Sequence, residues 1–517
     1  MHLFTHRLSA LPLSFLSILA SLPLLFSHAV ISQNITAAET SSTTAAFVCT
    51  SLASTLPSRV EFVNRGFNVT AFALSYWSST AAIIPTCVFR PQSTAEVAIA
   101  VKILATQKAK GRDVKFAVKS GGHDPLIGAS GTTGLLITLE KLNKVSYDTP
   151  TATARIGPGA RWGQVYQYLN HYNVSVAGGR VSSVGVGGLL LSGGISYHSA
   201  QDGFSIDTIL SYELVLPSGV IINVTNASRP DLFFALRGGG NKFGIVTNFI
   251  LKTHRQPLVN YGIVQFLPGT EAAFAEAITD FLLNSKDPKA AIIPNLIADP
   301  NATYPLCQFW YDGPVAPTGI WDRFLAIPHN DTRFFTVPHY VATGIIGDMT
   351  NQLYGTRQNF LTTTLKNISP GFLTSVLNYT AKHFAAVRAH AGSALILCQI
   401  AIEPIQTSLL RVHASSPPSA FNPLTEGVQP QIVYEYSCDW TDPRLDAYFF
   451  REGTTAVRTL ERLVGREHVS NWLYPNYVGQ GQDVARVFSG TEERAAAIQR
   501  RVDPTGLFRE GTGGLAF

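Results

Sequence analysis

Residues 118–124 read Val-Lys-Ser-Gly-Gly-His-Asp, so His123 is carried on two glycines at the end of a short apolar run. An imidazole there meets a ligand without Cβ atoms in the way. Two more glycine-rich stretches follow within about 125 residues, "GGRVSSVGVGGLLLSGGIS" (178–196) and "RGGGNKFG" (237–244). Glycine admits close backbone approach and positive φ, and successive backbone N–H groups in such turns form anion-binding nests. Together the three stretches could hold a diphosphate. The chain has no G-x-G-x-x-G, Walker, H-E-x-x-H or G-x-S-x-G pattern, which lowers the classical dinucleotide, nucleotide-hydrolase, zinc-protease and serine-hydrolase readings. A nucleotide cofactor held mostly by backbone remains, and no metal is expected.

The elements around these residues alternate. "TCVFRP", "KFAVKS" and "GLLITL" read as strands, and "STAEVAIAVKILATQKA" as a helix with Ser93 or Thr94 as N-cap. "ILSYELVLPSGVIINV" reads as a hairpin turning at Pro217-Ser218-Gly219, and "DLFFALRGGG" as a short helix capped by Asp231. Beyond about residue 257, strand-like "NYGIVQF", "AAIIPNLIA", "LCQFWYDG", "SALILCQIAI" and "QIVYEYSCDW" alternate with helical stretches, an antiparallel sheet backed by helices. A last helix is expected over about 483–501. The fold class is α+β.

The 517 residues carry a net charge of +5, thinly spread, with no basic cluster to bind nucleic acid. Residues 8–26 are uncharged, follow His2 and Arg7, and precede a small residue, Ala29, the anatomy of a cleaved secretory signal over 1–29. No later segment is apolar for a membrane span. Nine Asn-x-Ser/Thr sequons (Asn34, Asn68, Asn173, Asn223, Asn226, Asn301, Asn330, Asn367, Asn378) suggest N-glycans, and a secreted or secretory-pathway location follows. Of five cysteines, Cys49 and Cys87 are the preferred disulfide; the odd count leaves at least one free thiol, most simply a buried one such as Cys398.

"PTCVFRPQSTAEVAIAV", "VKSGGHD", "GGRVSSVGVGG", "DLFFALRGGGNKFGIVT" and "YPNYVG…DPTGLF…GGLAF" together resemble the FAD-linked oxidases of the vanillyl-alcohol-oxidase superfamily. The closest subgroup is the berberine-bridge-enzyme-like one in its fungal secreted form, and the resemblance covers nearly everything after residue 45. It implies a two-part FAD-binding domain of the PCMH type, with an N-terminal segment over 30–78 and its main part over 79–256. A substrate domain over 257–465 and a C-terminal segment over 466–517 returning to the flavin complete the chain. It implies one covalent bond from His123 to the flavin 8α-methyl. Val181 stands where many relatives carry a second, cysteinyl link. That departure disfavours an oligosaccharide oxidase and suits a small or hydrophobic metabolite.

By the same resemblance Lys119, Ser120, Gly121, Gly122 and Asp124, with Ser183, Val184, Gly185, Gly187 and Gly188, line the diphosphate and ribityl chain. Ser192 and Gly193 occupy a family G-G-G position, Ile245 meets the cofactor through its main chain, and Asn476 and Tyr477 return to the flavin. The implied chemistry is hydride removal from an alcohol or amine carbon, with dioxygen as acceptor, within a biosynthetic route. The base is Glu435, or one of Tyr474 and Tyr477. On the strand, Val433, Glu435 and Ser437 share one face and Tyr434, Tyr436 and Cys438 the other. His198 either faces the flavin or is a core or surface histidine. The competing readings are an oligosaccharide oxidase, a dehydrogenase with another electron acceptor and a non-catalytic surface glycoprotein.

Overall fold

The strand that delivers the Ser-Gly-Gly-His stretch lies at one edge of a four-stranded sheet. The computed structural model describes residues 43–515 apart from positions 64 and 331, and the backbone alone at 349 and 350. The expected signal segment and Asn34 lie outside the described residues. The first sheet comprises β1 (Val60–Phe62), β2 (Cys87–Phe89), β3 (Phe116–Lys119) and β4 (Leu135–Thr138), in the order β1-β2-β4-β3. Strands β2, β4 and β3 run parallel, and parallel strands need crossover connections. The helix Thr94–Ala109 supplies the one between β2 and β3. Ser93 caps it, its hydroxyl accepting from the Glu96 N–H at 3.2 Å.

The second sheet follows as β5 (Val145–Asp148), β6 (Thr153–Ile156), β8 (Ile209–Val215), β9 (Ile221–Thr225) and β10 (Ile245–Lys252), antiparallel in the order β5-β6-β10-β8-β9. A small ladder joins β7 (Val174–Ser175) to β11 (His254–Arg255). The β8–β9 hairpin turns where the Pro-Ser-Gly signal puts it. Asp231 is not the cap of its helix, which runs Pro230–Leu236 behind Arg229. Proline takes the first turn because it lacks an N–H to satisfy, and Asp231 instead pairs with Arg501 at 2.9 Å.

The third sheet has seven strands: β12 (Val259–Gln265), β13 (Ala290–Ala298), β14 (Thr303–Tyr311), β15 (Arg333–Val337), β16 (Arg357–Leu365), β17 (Leu395–Ile405) and β18 (Gln431–Trp440). Their order is β15-β12-β14-β13-β17-β18-β16 and every pairing is antiparallel. One face carries Tyr434, Tyr436, Cys438, Ile400 and Phe309, packed with residues of the helices Glu271–Asn284, Pro370–Ala391 and Asp446–Val464 in one apolar core. The other face is covered too, which is why all ten residues of β18 are buried. A strand covered on both sides reads as a near-continuous apolar run, so its polar residues stand out. The expected helix over 483–501 is shorter, a single turn at Val484–Arg486 and a helix over Glu492–Val502.

Cys49 and Cys87 form the expected disulfide, fastening the helix Thr43–Thr55 to β2. Cys398 is not free. It lies directly opposite Cys438 in the β17–β18 register, with Cα atoms 4.0 Å apart, and the two are bonded. The free thiol is Cys307, buried on β14. Spacing along the chain does not reveal this pair, because it follows from which strands become neighbours. The bond closes a loop of 40 residues between the two strands that carry the acidic face described below. The double variant Cys398→Ala/Cys438→Ala is expected to lose about 4 kcal/mol on the chain-entropy estimate, read as a lower unfolding midpoint in denaturant.

Candidate functional site

The first two glycine stretches meet backbone to backbone. A Cβ built on Gly185 would stand 2.3 Å from the Gly121 nitrogen, and one on Gly121 2.6 Å from the Gly185 Cα. Only glycine permits that approach at both positions. Ser120 locks the contact: its hydroxyl donates to the Pro158 carbonyl at 2.6 Å and accepts from the Gly187 N–H at 3.1 Å. Arg161 spans the same junction, donating to the carbonyls of Gly121 and Ser183 and to the Tyr354 hydroxyl. Lys119 is buried with its ammonium over the Tyr76 ring, and desolvation, helped by the Arg161 charge, pulls it down to about 8. Asp124 closes a turn by accepting from the Leu126 N–H.

His123 emerges from this junction, just after Gly122 at φ 67°. Its ring stacks on Trp77 with centroids 4.4 Å apart and planes 10° from parallel. Burial, with the Arg161 charge second, pushes the imidazole down to about 3, so it is neutral across the physiological range. Its Nε2 is buried without a hydrogen-bond partner. A neutral, oriented ring with an unpartnered nitrogen is the state needed for a nucleophile or a ligand.

The C-terminal segment returns to the second glycine stretch. Asn476 accepts from the Gly194 N–H at 3.3 Å, and the Tyr474 hydroxyl accepts from the Ile195 N–H at 2.7 Å. Gly193 and Gly194 take φ of 139° and 84°, closed to ordinary side chains. Tyr474 thus positions this loop. Tyr477 is half-buried and points elsewhere. Its hydroxyl accepts from Arg180 Nη2 at 3.0 Å and donates to Glu403 Oε1 at 3.1 Å. Arg180 and Glu403 form a bidentate pair, with side chains 10% and 2% exposed.

Glu403 shares a face of the sheet with Glu435 and Asp439. Desolvation raises Glu435 to about 8 and holds Asp439 well above the usual carboxylate range. Oε1 of Glu435 and Oδ1 of Asp439 are buried and unpartnered. Glu435 is therefore mostly neutral at pH 7, which weakens it as a base there.

Among the residues expected from the sequence, the structure brings Ser120, Gly121, Gly122, Gly185 and Gly187 into one junction. Ser183 joins it through its carbonyl, and the neighbouring Val184 carbonyl accepts from the Trp162 N–H at the helix start. A Cβ on Gly188 would meet nothing within 4 Å. Ser192 and Gly193 end the helix Val186–Ser192. Ile245 puts its side chain in the core of the first sheet, leaving its main chain at the start of β10. His198 is a core histidine, 1% exposed beside His254 and Trp310. Glycines of the third stretch serve tight turns, Gly238 against Phe421 and Gly244 against the Val215 carbonyl. Arg161, Arg180, Glu403 and Trp77 escaped the sequence reading. Only Glu403 left a trace there, as the one acid in the apolar run of β17.

The close-packed glycine junction, the open side of Gly188 and the unpartnered imidazole nitrogen beside them could hold a flavin-type cofactor largely through backbone. Residues 85–225 match the FAD binding domain model. The chain is 30% identical over 457 residues to an uncharacterised FAD-linked oxidoreductase of Arthroderma benhamiae, covering 85% of this chain and 89% of that one. It is 30% identical over 444 residues to the FAD-dependent monooxygenase drtC of Aspergillus calidoustus, covering 84% and 83%. Solved structures that share the fold include two with a TM-score of 0.71. They are xylooligosaccharide oxidase from Myceliophthora thermophila C1 (20% identity, 91% of this chain and 99% of that one) and a variant of berberine bridge enzyme (18%, 90% and 99%). The chain belongs to the FAD-linked oxidoreductases.

Two outcomes follow from the geometry. Gly185→Ala forces the Gly121 backbone away and is expected to purify with much less flavin, read from the ratio of visible to protein absorbance. Between its ordinary value and about 8, Glu435 keeps a proton in the folded chain that the unfolded chain has lost. Stability therefore falls as pH rises through this window. In Glu435→Gln that fall is expected to flatten, measured by denaturant unfolding from pH 5 to pH 8.

Proposed function

We propose that this FAD-dependent oxidoreductase is an oxidase that removes a hydride from an alcohol or amine carbon of a small metabolite, with dioxygen as acceptor. The observation that carries the reading is the Tyr477 hydroxyl held between Arg180 and Glu403. FAD, when bound, supplies the hydride acceptor and the route for two electrons to dioxygen. The chain supplies the proton path. Tyr477 already donates to Glu403 and accepts from Arg180, which leaves one lone pair of its oxygen for the substrate O–H or N–H. It takes the substrate proton as its own passes along the hydrogen bond to Glu403, whose Oε1 is 3.1 Å from the phenol oxygen. Burial, with the Glu403 carboxylate second, holds the phenol well above its usual value. A concerted transfer fits this better than a standing phenolate. Arg180 keeps Glu403 oriented as acceptor.

Tyr474 is spent on Ile195 and Glu435 is buried and largely neutral, so both yield to Tyr477 as base. Val181 packs against the cluster of Tyr197, Tyr261 and Trp310, which favours a small or hydrophobic substrate over an oligosaccharide. His123, with its unpartnered Nε2, is our choice for a single covalent flavin bond. Secretion with N-glycans fits the eight described sequon asparagines, all of them exposed.

The test is acid precipitation of the purified protein. Yellow colour is expected in the pellet for wild type and in the supernatant for His123→Ala. A yellow wild-type supernatant contradicts the covalent bond, and a colourless folded protein contradicts the oxidase reading. Treatment with an N-glycosidase is expected to lower the mass of protein made in a secreting fungal host.

A further inference from the structure

On the far side of the second glycine stretch, three metal-binding side chains converge. His198 stands just before the short helix Ser199–Asp202, Asp202 ends it, and His254 begins β11. Their potential ligand atoms all lie within 4.8 Å of one another. The two imidazole centroids are 4.1 Å apart. Nε2 of His198, Nε2 of His254 and Oδ2 of Asp202 are each buried without an aligned hydrogen-bond partner. Oδ2 of Asp202 nevertheless lies 3.1 Å from Nδ1 of His254. Two imidazoles crowded against a carboxylate with both Nε2 atoms unsatisfied are costly where they are buried.

We propose that His198, His254 and Asp202 bind one divalent transition-metal ion of the zinc type. The ligand set is that of zinc, which takes imidazole nitrogen and carboxylate oxygen at about 2.0–2.2 Å. Ligands at that length lie roughly 3.3 Å apart around a tetrahedral ion, so ligand atoms up to 4.8 Å apart must close by as much as about 1.5 Å. A second carboxylate supports the site from behind. Oδ2 of Asp312 is 3.8 Å from Nδ1 of His198, and Asp312 is itself held by the side-chain amides of Gln201 at 3.2 Å and Gln256 at 3.0 Å. At 3.8 Å Asp312 adds charge rather than a hydrogen bond, and the nearer partner of the same Nδ1 is the Gln201 side-chain amide at 3.3 Å. Asp202 and Asp312 together match the charge of a dication. His198 is 1% exposed, while the side chains of His254 and Asp202 are each 22% exposed, which gives an ion a way in.

His339, although its ring is 5.6 Å from that of His198, is engaged elsewhere. Its Nδ1 is 3.0 Å from the Ser175 hydroxyl and its ring stacks on Tyr166. The ion would fasten the helix Ser199–Asp202 to β11, the last strand before the chain enters the seven-stranded sheet. It lies outside the catalytic machinery, so its role is structural.

The experiment uses flavin-loaded protein, stripped with a chelator, dialysed against zinc chloride and desalted. One equivalent of zinc by elemental analysis is expected, with a melting temperature several degrees above the stripped protein, because an ion that binds only the folded state stabilises it. His254→Ala and Asp202→Asn are expected to lose the zinc and the temperature shift while keeping the flavin spectrum. Wild type that takes up well under one equivalent, or no more than the variants, overturns the proposal. Should the variants fail to fold, cobalt chloride on wild type decides: bands of a low-symmetry cobalt site to the red of the flavin support the proposal, and their absence overturns it.

Discussion

The buried pair of Arg180 and Glu403 is where the molecule is tied together. Arg180 comes from the second glycine stretch, Glu403 from the seven-stranded sheet, and Tyr477, bonded to both, from the C-terminal segment. An ion pair this deep is maintained only when both partners stay matched, since removing one strands a charge and costs about 3–5 kcal/mol. The second glycine stretch, the seven-stranded sheet and the C-terminal segment are thereby held in one register. The same pair sets the state of the Tyr477 hydroxyl.

Around it the sheet face is electrically tense. Glu403, Glu435 and Asp439 point the same way from adjacent strands, and one of them has a guanidinium partner while the other two are pushed toward the neutral form. Two strained acids are tolerable because β17 and β18 are cross-linked by Cys398–Cys438 and packed between helices and loops. Perturbed carboxyl groups recur at functional sites. The face opposite, built of tyrosines, a tryptophan and aliphatic residues, carries the stability that this arrangement spends.

Much of this was legible in the chain. The Ser-Gly-Gly-His stretch, the apolar runs and the turn at Pro217-Ser218-Gly219 are local signals, and local chemistry decides them. The alternation in β18 separated Glu435 from Tyr434 and Tyr436 correctly, because the period of a strand is two whatever surrounds it. What was illegible depends on register. Cys398 meets Cys438, and Arg180 meets Glu403, across 40 and 223 residues of chain. Nothing in either segment names its partner. Asp231 misled for another reason: a good capping residue stands one place past a proline that had already taken the first turn. Tyr474 and Tyr477 look alike in sequence and differ only in what their hydroxyls reach.

In the proposed reaction Tyr477 and Glu403 act as one proton acceptor. The direct measurement is anaerobic flavin bleaching by the first alcohol or amine that releases peroxide, in wild type, Tyr477→Phe, Glu403→Gln and the double variant. Each single change is expected to slow bleaching on the order of 100-fold or more, with flavin content kept, and the double variant to be hardly slower than either. Independent, multiplying effects, or a Tyr477→Phe enzyme that bleaches at the wild-type rate, would contradict it.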